Sequence, residues 1–344
     1  MTRPSIFVTQ PIAESALARL QAVADVKVNK DSRRVLDKGK LIAAVAKHDI
    51  LFSLLHDTVD RAVLAANPGL KAVASMAITP DRIDVATATA RGILVTVIPP
   101  IVGEATADIC FGLMIAVARR MMEGDRMVRA GEFPGAQSNH LAGAWVWGKT
   151  LGLVGGRGRI GQAVARRARG FSMRILYSGP HRMAETEERA LGMTYVPFER
   201  LLRESDFVSL HPPLNAETHH MIGERELGLM KPSAFLINTA RGAIVDEAAL
   251  ARALKARRIA GAGLDVFENE PRVSRSLVSN STLVATPHLG SAVMELRETM
   301  ANIVVDNILA IISGGRPPNC LNPETLDKRA PVASAAPERR RAAR

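Results

Sequence analysis

The stretch LGLVGGRGRIGQAVARRARG, residues 151–170, decides how this chain is read. An apolar run, LGLV (151–154), is followed at once by glycines and arginines. Within it Gly156-Arg157-Gly158-Arg159-Ile160-Gly161 fits the spacing GxGxxG. Ile160, Val164 and Ala168 then recur at four-residue steps, the period of one helix face. Strand, glycine turn and helix in that order aim backbone N–H groups and the positive end of a helix at a pyrophosphate. Gly156, Gly158 and Gly161 permit the turn and the close approach of a ligand. The plain alternatives are a strand–helix turn with no ligand and a flexible basic loop. Gly155 lies between strand and motif as one residue more than the pattern, so a slightly wider turn is expected.

A dinucleotide loop of this kind is followed, about 20 residues on, by an acid that binds the ribose 2′-hydroxyl of NAD. The next strand, RILY (174–177), leads instead into Ser178-Gly179-Pro180-His181-Arg182. Gly179 stands where the acid is expected. A carboxylate would repel a 2′-phosphate, whereas Ser178, His181 and Arg182 would receive one. NADP(H) is therefore favoured, with NAD(H) possible if Arg182 only faces solvent and Glu185 or another group meets the ribose.

Around this motif the chain alternates strands and helices. SIFV (5–8), VKV (26–28), ILFS (50–53), KAVAS (71–75) and ILVTV (93–97) read as strands, with helices over 12–23 and 59–66. Ile98-Pro99-Pro100 forms a hinge, and one long helix is expected over 104–130, stopped by Gly131. From Thr150 a second alternation begins, with strands LGLV, RILY, FVSL (207–210), AFLIN (234–238), AGLDVF (262–267) and LVAT (283–286). Such near-continuous apolar runs suit strands buried on both faces. A last helix runs over 292–312, with Val293, Leu296, Met300, Ile303, Val304, Ile308 and Ile311 on one face. The pattern predicts α/β architecture with parallel sheets.

The bulk numbers agree. The 344 residues suggest two domains, and 47% are apolar, ample for buried cores. Net charge is +11, but residues 329–344 carry +4 of it in an Ala-, Pro- and Arg-rich tail without periodicity. That tail reads as disordered, and contact with nucleic acid as incidental. The longest apolar run, ICFGLMIAVA (109–118), is too short for a bilayer and reads as a buried helix. Cys110 and Cys320 are too few and too far apart for a disulfide framework, which suits a reducing, cytoplasmic setting. The N-terminal segment has no long apolar run of the secretory kind.

Three further motifs close strands. NTARGAIVDE places Arg241 after AFLIN, GLDVFENEP places Asp265 and Glu270 after the next strand, and TPHLGSA places His288 after the last. In a parallel sheet such positions line the ligand crevice. Reducing a 2-oxo acid needs a hydride at carbon and a proton at oxygen. An imidazole supplies that proton near neutral pH, a carboxylate beside it fixes its tautomer, and a guanidinium grips the substrate carboxylate. His288, Glu270 and Arg241 fit these roles, and Asp265 that of an acceptor for the nicotinamide. Singly each has a structural reading; their succession at three strand ends favours function. His211, His219 and His220 in LHPPLNAETHHMI have no matching Asp/Glu/His cluster to support a metal, so no metal site is expected. Trp145 and Trp147 read as packing residues.

With these residues the chain resembles the D-isomer-specific 2-hydroxyacid dehydrogenases over about 5–320. The resemblance implies a Rossmann cofactor domain (99–289) inserted into a flavodoxin-like substrate domain (1–98 with 290–322), with 323–344 left as the tail. It implies Arg241, Glu270 and His288 as the catalytic set. Cofactor contacts would come from Arg159, Ile160, Pro213, Thr218, Thr239, Ala240, Asp265 and Gly290, and substrate contacts from the Ile78–Thr79 backbone. Members are usually dimers, with the helix after the hinge at the interface. Two departures stand out: Thr79 replaces a family glycine in SMAITPDRID, and Gly103 replaces a family Ser/Thr. Glu270 disfavours the formate-oxidising branch, which pairs its His with Gln. The phosphite-oxidising branch carries a Lys in the substrate loop, and none is present here. A dinucleotide-sensing protein like the carboxy-terminal binding protein corepressors remains the alternative from another class, because those retain the same three residues.

Overall fold

The computed structural model describes residues 3–327. It forms two compact units, one built from residues up to Ile101 and from Met294 onward, the other from Val102–Val293.

The first unit alternates β1 (Ser5–Val8), α1 (Glu14–Val23), β2 (Asp25–Val28), α2 (Lys38–Val45), β3 (Ile50–Ser53), α3 (Arg61–Ala65), β4 (Ala72–Ser75), α4 (Val85–Ala90) and β5 (Leu94–Thr96). The sheet is parallel in the order β2-β1-β3-β4-β5, the flavodoxin-like arrangement. Aspartates start three of its helices: Asp37, Asp60 and Asp84 accept hydrogen bonds from first-turn backbone N–H groups. Phe7, Leu51, Val73 and Val95 pack under Leu41, Val63 and Leu64 on one face.

The second unit runs α5 (Gly103–Ala118), α6 (Met121–Arg129), β6 (Thr150–Val154), α7 (Arg159–Gly170), β7 (Arg174–Ser178), α8 (Glu185–Leu191), β8 (Met193–Tyr195), α9 (Phe198–Glu204), β9 (Phe207–Leu210), α10 (Glu224–Leu229), β10 (Phe235–Asn238), α11 (Glu247–Lys255), β11 (Gly261–Leu264), α12 (Arg275–Val278) and β12 (Leu283–Ala285). Its seven strands are parallel in the order β12-β11-β10-β9-β6-β7-β8, a doubly wound sheet whose order reverses between β6 and β9. Alternate strand residues enter opposite layers. Val208, Leu210 and Leu236 join one core with Leu202, Leu250 and Leu254, while Phe207, Phe235 and Ile237 join the other with Phe111, Met114 and Val164. Each such side chain, fully buried, stabilises the unit by roughly 1.5–3 kcal/mol.

The chain then returns to the first unit as α13 (Met294–Ile312) and α14 (Glu324–Asp327). Asn322 fastens the return: its Oδ1 accepts from Val95 N–H at 2.8 Å, and its amide donates to the Ile93 carbonyl and Thr89 Oγ1 at 2.9 Å each.

Several expectations are corrected. The helix expected over 104–130 is two helices. The Ala118 carbonyl accepts from Ala144 N–H at 2.8 Å, where the 143–144 segment crosses the helix end, and Arg120 turns left-handed (φ 53°) before α6 begins. β8 was not foreseen. Trp145 and Trp147 are 68% and 60% exposed and meet each other at 5.9 Å rather than packing inside. The last helix begins at Met294, leaving Val293 outside it and exposed. The tail expected from 323 is ordered at its start, where α14 buries Thr325; residues 328–344 lie outside the described residues. No helix among the described residues is long and apolar enough to cross a membrane.

The arginines of the opening stretch mostly serve the fold. Arg167 bridges Glu104 and Asp108 of α5 at 2.8 and 2.7 Å, Arg166 also pairs with Glu104, and Arg169 donates to the Ala190 carbonyl at 2.8 Å. Close packing also fixes the third motif glycine, since a Cβ on Gly161 would lie 2.6 Å from Gly156 Cα. Gly161→Ala should therefore destabilise the second unit by about 1–3 kcal/mol. Urea unfolding followed by circular dichroism checks this, and an unchanged midpoint would contradict the packing.

Candidate active site

A doubly wound sheet presents its ligand crevice at the carboxyl ends of its strands. In the second unit that edge carries, in spatial order, His288 after β12, Asp265 and Glu270 after β11, Arg241 after β10, His211 after β9, Gly155 after β6 and Ser178 at the end of β7.

The glycine loop is tight. Gly155 adopts φ 75°, donates to the Ser178 carbonyl at 2.8 Å and accepts from Gly158 N–H at 3.0 Å. A Cβ there would sit 2.8 Å from Pro212 N. The extra residue takes a left-handed conformation that glycine adopts readily. Gly158 is the N-cap of α7 and makes no side-chain cap hydrogen bond to the first turn, which begins Arg159, Ile160 and Gly161. Gly103 starts α5, and a Cβ on it would lie 3.9 Å from Arg159, so the hydroxyl missing there would have faced this loop.

At the end of β7, Ser178 is buried and Gly179 half-buried, while His181 and Arg182 are exposed. Arg182 is not a lone cation: its Nε and Nη2 donate to Glu188 at 2.9 and 2.8 Å. Tyr177 Oη donates to the same carboxylate at 2.6 Å and accepts from Met183 N–H at 2.7 Å. The guanidinium and the phenol hold the Glu188 carboxyl down to about 2, and burial with this carboxylate pushes the Tyr177 phenol up to about 12. Glu188 and Tyr177 were missed in sequence because their pairing depends on how the 179–184 loop folds back. On the loop after β9, Thr218 Oγ1 donates to the Pro213 carbonyl at 2.6 Å, so these two residues do come together.

Two buried polar atoms at this edge have no hydrogen-bond partner: Thr239 Oγ1 after β10 and His211 Nδ1 after β9. A buried polar group left unpaired costs free energy. Both lie on the ligand side of the sheet, so they fit a polar ligand laid along it. His211 Nε2 meets Ser209 Oγ at 3.0 Å, and burial lowers the ring to about 4, so it is neutral.

The turn after β10 is fixed by Asn238. Its Oδ1 accepts from Ala240 N–H at 3.0 Å and its amide donates to the Arg241 carbonyl at 2.9 Å. Arg241 Nη1 donates to the Ala240 carbonyl at 2.7 Å. Gly242 allows the turn to lie on the next loop, since a Cβ there would fall 1.9 Å from the Phe267 carbonyl carbon.

Asp265, 1% exposed, organises the last turn. Its Oδ1 accepts from Thr286 Oγ1 at 2.6 Å and Leu289 N–H at 2.7 Å, and its Oδ2 from Gly290 N–H at 2.8 Å. A carboxylate has about four acceptor positions, so one on Oδ2 is left. Within this turn His288 is left-handed (φ 57°), its N–H bonded to the Asp265 carbonyl at 2.9 Å. Backbone held in this sparsely populated region concentrates at functional sites. His288 Nδ1 lies 2.9 Å from Glu270 Oε2, while Glu270 Oε1 accepts from Phe267 N–H at 2.8 Å. The pair is mostly buried, with side chains 22% and 12% exposed.

Ile78 and Thr79 follow β4 at the carboxyl edge of the first unit's sheet and are half-buried. The histidine-rich stretch departs from expectation. His219 and His220 do meet an acid, Glu268, from a loop 48 positions away, which spacing along the chain could not reveal.

Residues 111–290 match the family description "D-isomer specific 2-hydroxyacid dehydrogenase, NAD binding domain". A glyoxylate reductase of Thermococcus litoralis is 46% identical over 333 residues, 96% of this chain and 100% of that one. A solved structure of the TT0316 protein from Thermus thermophilus superposes with TM-score 0.85 at 40% identity, covering 92% of this chain and 99% of the other. An NADPH-dependent glyoxylate/hydroxypyruvate reductase from Sinorhizobium meliloti, solved with NADP and malonate, gives TM-score 0.79 at 33% identity over 96% and 100%. A nucleotide loop, a His–Glu pair and full-length likeness lead to one conclusion: the chain belongs to the D-isomer specific 2-hydroxyacid dehydrogenase family.

Proposed function

We propose that this oxidoreductase reduces a small 2-oxo acid, such as glyoxylate or hydroxypyruvate, to the D-2-hydroxy acid, and that it uses NADPH in preference to NADH. The observation that carries the reading is the 2.9 Å contact of His288 Nδ1 with Glu270 Oε2 at the nucleotide edge of the second unit. The glyoxylate reductases similar to this chain over nearly its whole length support the substrate class.

The reduced nicotinamide supplies the hydride. Glu270 holds His288 through Nδ1, so Nε2, on the far side of the ring, carries the proton given to the substrate oxygen and taken back in reverse. Arg241 grips the substrate carboxylate and polarises the carbonyl, and the Ile78–Thr79 backbone of the first unit is a candidate for substrate contact. Gly156, Gly158, Arg159, Ile160 and Gly161 cradle the pyrophosphate. Pro213, Thr218, Thr239 and Ala240 would line the ribose and nicotinamide, and Asp265, bonded to Gly290 N–H, would accept from the carboxamide. Ser178, Gly179, His181 and the remaining Nη1 of Arg182 receive the 2′-phosphate, with Glu188 orienting that guanidinium. The second unit is the cofactor domain in this reading and the first the substrate domain.

We also place the protein in the cytoplasm, as a homodimer with no specific nucleic-acid partner. Support for the dimer comes from segment 121–147. Nothing in α6 is buried, and Met121, Val128, Phe133, Trp145 and Trp147 are 49–68% exposed.

A panel of 2-oxo acids assayed with each cofactor tests the proposal. NADPH oxidation with glyoxylate or hydroxypyruvate is expected, with a lower KM for NADPH than for NADH. No oxidation with any acid would favour a dinucleotide sensor. His288→Ala should lower kcat by about 10²–10⁴ and leave NADPH affinity nearly unchanged; stopped-flow turnover beside cofactor titration reads both. Arg182→Ala should raise the KM for NADPH by about tenfold while moving that for NADH by less than about twofold. Equal losses would remove the 2′-phosphate contact.

A further inference from the structure

The loops after β9 and β11 meet at a second polar cluster, separate from the His288–Glu270 pair. His219 and His220 stack with ring centroids 4.0 Å apart and planes 25° from parallel. Side chains of consecutive residues ordinarily point apart, and the left-handed backbone of His220 (φ 51°) brings these two together. That backbone is locked, because His220 N–H donates to the Ala243 carbonyl at 2.8 Å. Glu268 approaches from the other loop, its Oε1 2.9 Å from His220 Nε2. Its own backbone is anchored as well, with Glu268 N–H donating to Glu247 Oε1 at 2.7 Å. One ligand atom from each of the three side chains lies within 4.8 Å of the other two. His219 is exposed and the other two are half-buried, so a solvated ion can reach them.

Two imidazoles and a carboxylate form the donor set of three-ligand zinc sites, with the fourth position left to water. Imidazole selects borderline d-block cations, whereas magnesium and calcium require oxygen. We propose that His219, His220 and Glu268 bind a zinc-class divalent cation that clips the loop after β9 to the loop after β11. The ion takes the place of the hydrogen bond between His220 Nε2 and Glu268 Oε1, and the neutral imidazole carries its one N–H at Nδ1 instead. The site would fasten the segment holding Pro213 and Thr218 to the one that leads into Glu270, and it goes beyond the reductase reading without depending on it.

The test uses the full chain without an affinity tag, stripped with chelator and dialysed. Zn²⁺ is titrated by calorimetry, Co²⁺ by visible absorption, and Mg²⁺ serves as control. Wild type should bind a single Zn²⁺ in the micromolar range, show the intense d–d bands of low-coordinate Co²⁺, and unfold at higher temperature with Zn²⁺ than with Mg²⁺. Loss of an outer-shell partner alone costs about 10–100-fold in metal affinity, so His219→Ala and Glu268→Gln should each weaken binding at least that much. Glu268→Gln can keep a hydrogen bond to His220, so it preserves the loop while removing the charge. Zinc uptake no stronger than magnesium, or wild-type affinity in both variants, would overturn the proposal. So would binding that survives in both variants and disappears in His288→Ala, which would put the ion on the catalytic pair.

Discussion

A parallel sheet covered by helices on both faces has no room for polar chemistry except at its strand ends. The apolar runs that build β6, β9, β10 and β11 send alternate side chains into two dry cores, so each strand can offer reactive groups only where it stops. Strand polarity then collects these endings along one edge. The positions of the glycine loop, Arg241, Glu270 and His288 follow from that constraint, although they lie far apart in the chain.

The edge is kept in shape by short-range polar contacts that turn loops into fixed supports. Asp265 gathers two backbone N–H groups and one hydroxyl around the His288 turn. Asn238 does the same for the turn that carries Arg241. Neither is exposed, and neither needs to meet a substrate in order to matter. Glu270 orients the His288 ring through Nδ1 from a loop that is itself held by Phe267 N–H.

Much of this was readable along the chain because it rests on local pattern. The strands of both sheets announce themselves as apolar runs, and the three motifs at strand ends carry their chemistry in single letters. What escaped reading depends on distant contacts. The break at Arg120 arises where residues 143–144 cross the end of α5 and take the Ala118 carbonyl, and no propensity near 120 marks it. The Glu188 carboxylate looks like an ordinary helix-surface acid until the loop before it brings Arg182 and Tyr177 onto it. Glu268 meets His220 across 48 positions, and Gly242 lets the loop after β10 lie on the Phe267–Glu268 backbone beside that contact.

The seam made by Asn322 also constrains the order in which the molecule can be built. Its partner Val95 lies 227 positions earlier, on the strand that closes the five-stranded sheet. During synthesis every strand of that sheet leaves the ribosome before the second unit is made, yet α13 and Asn322 arrive only after it. The inserted unit therefore has all its parts available first, while the five-stranded unit must wait, one edge unsealed, until α13 and Asn322 have been made.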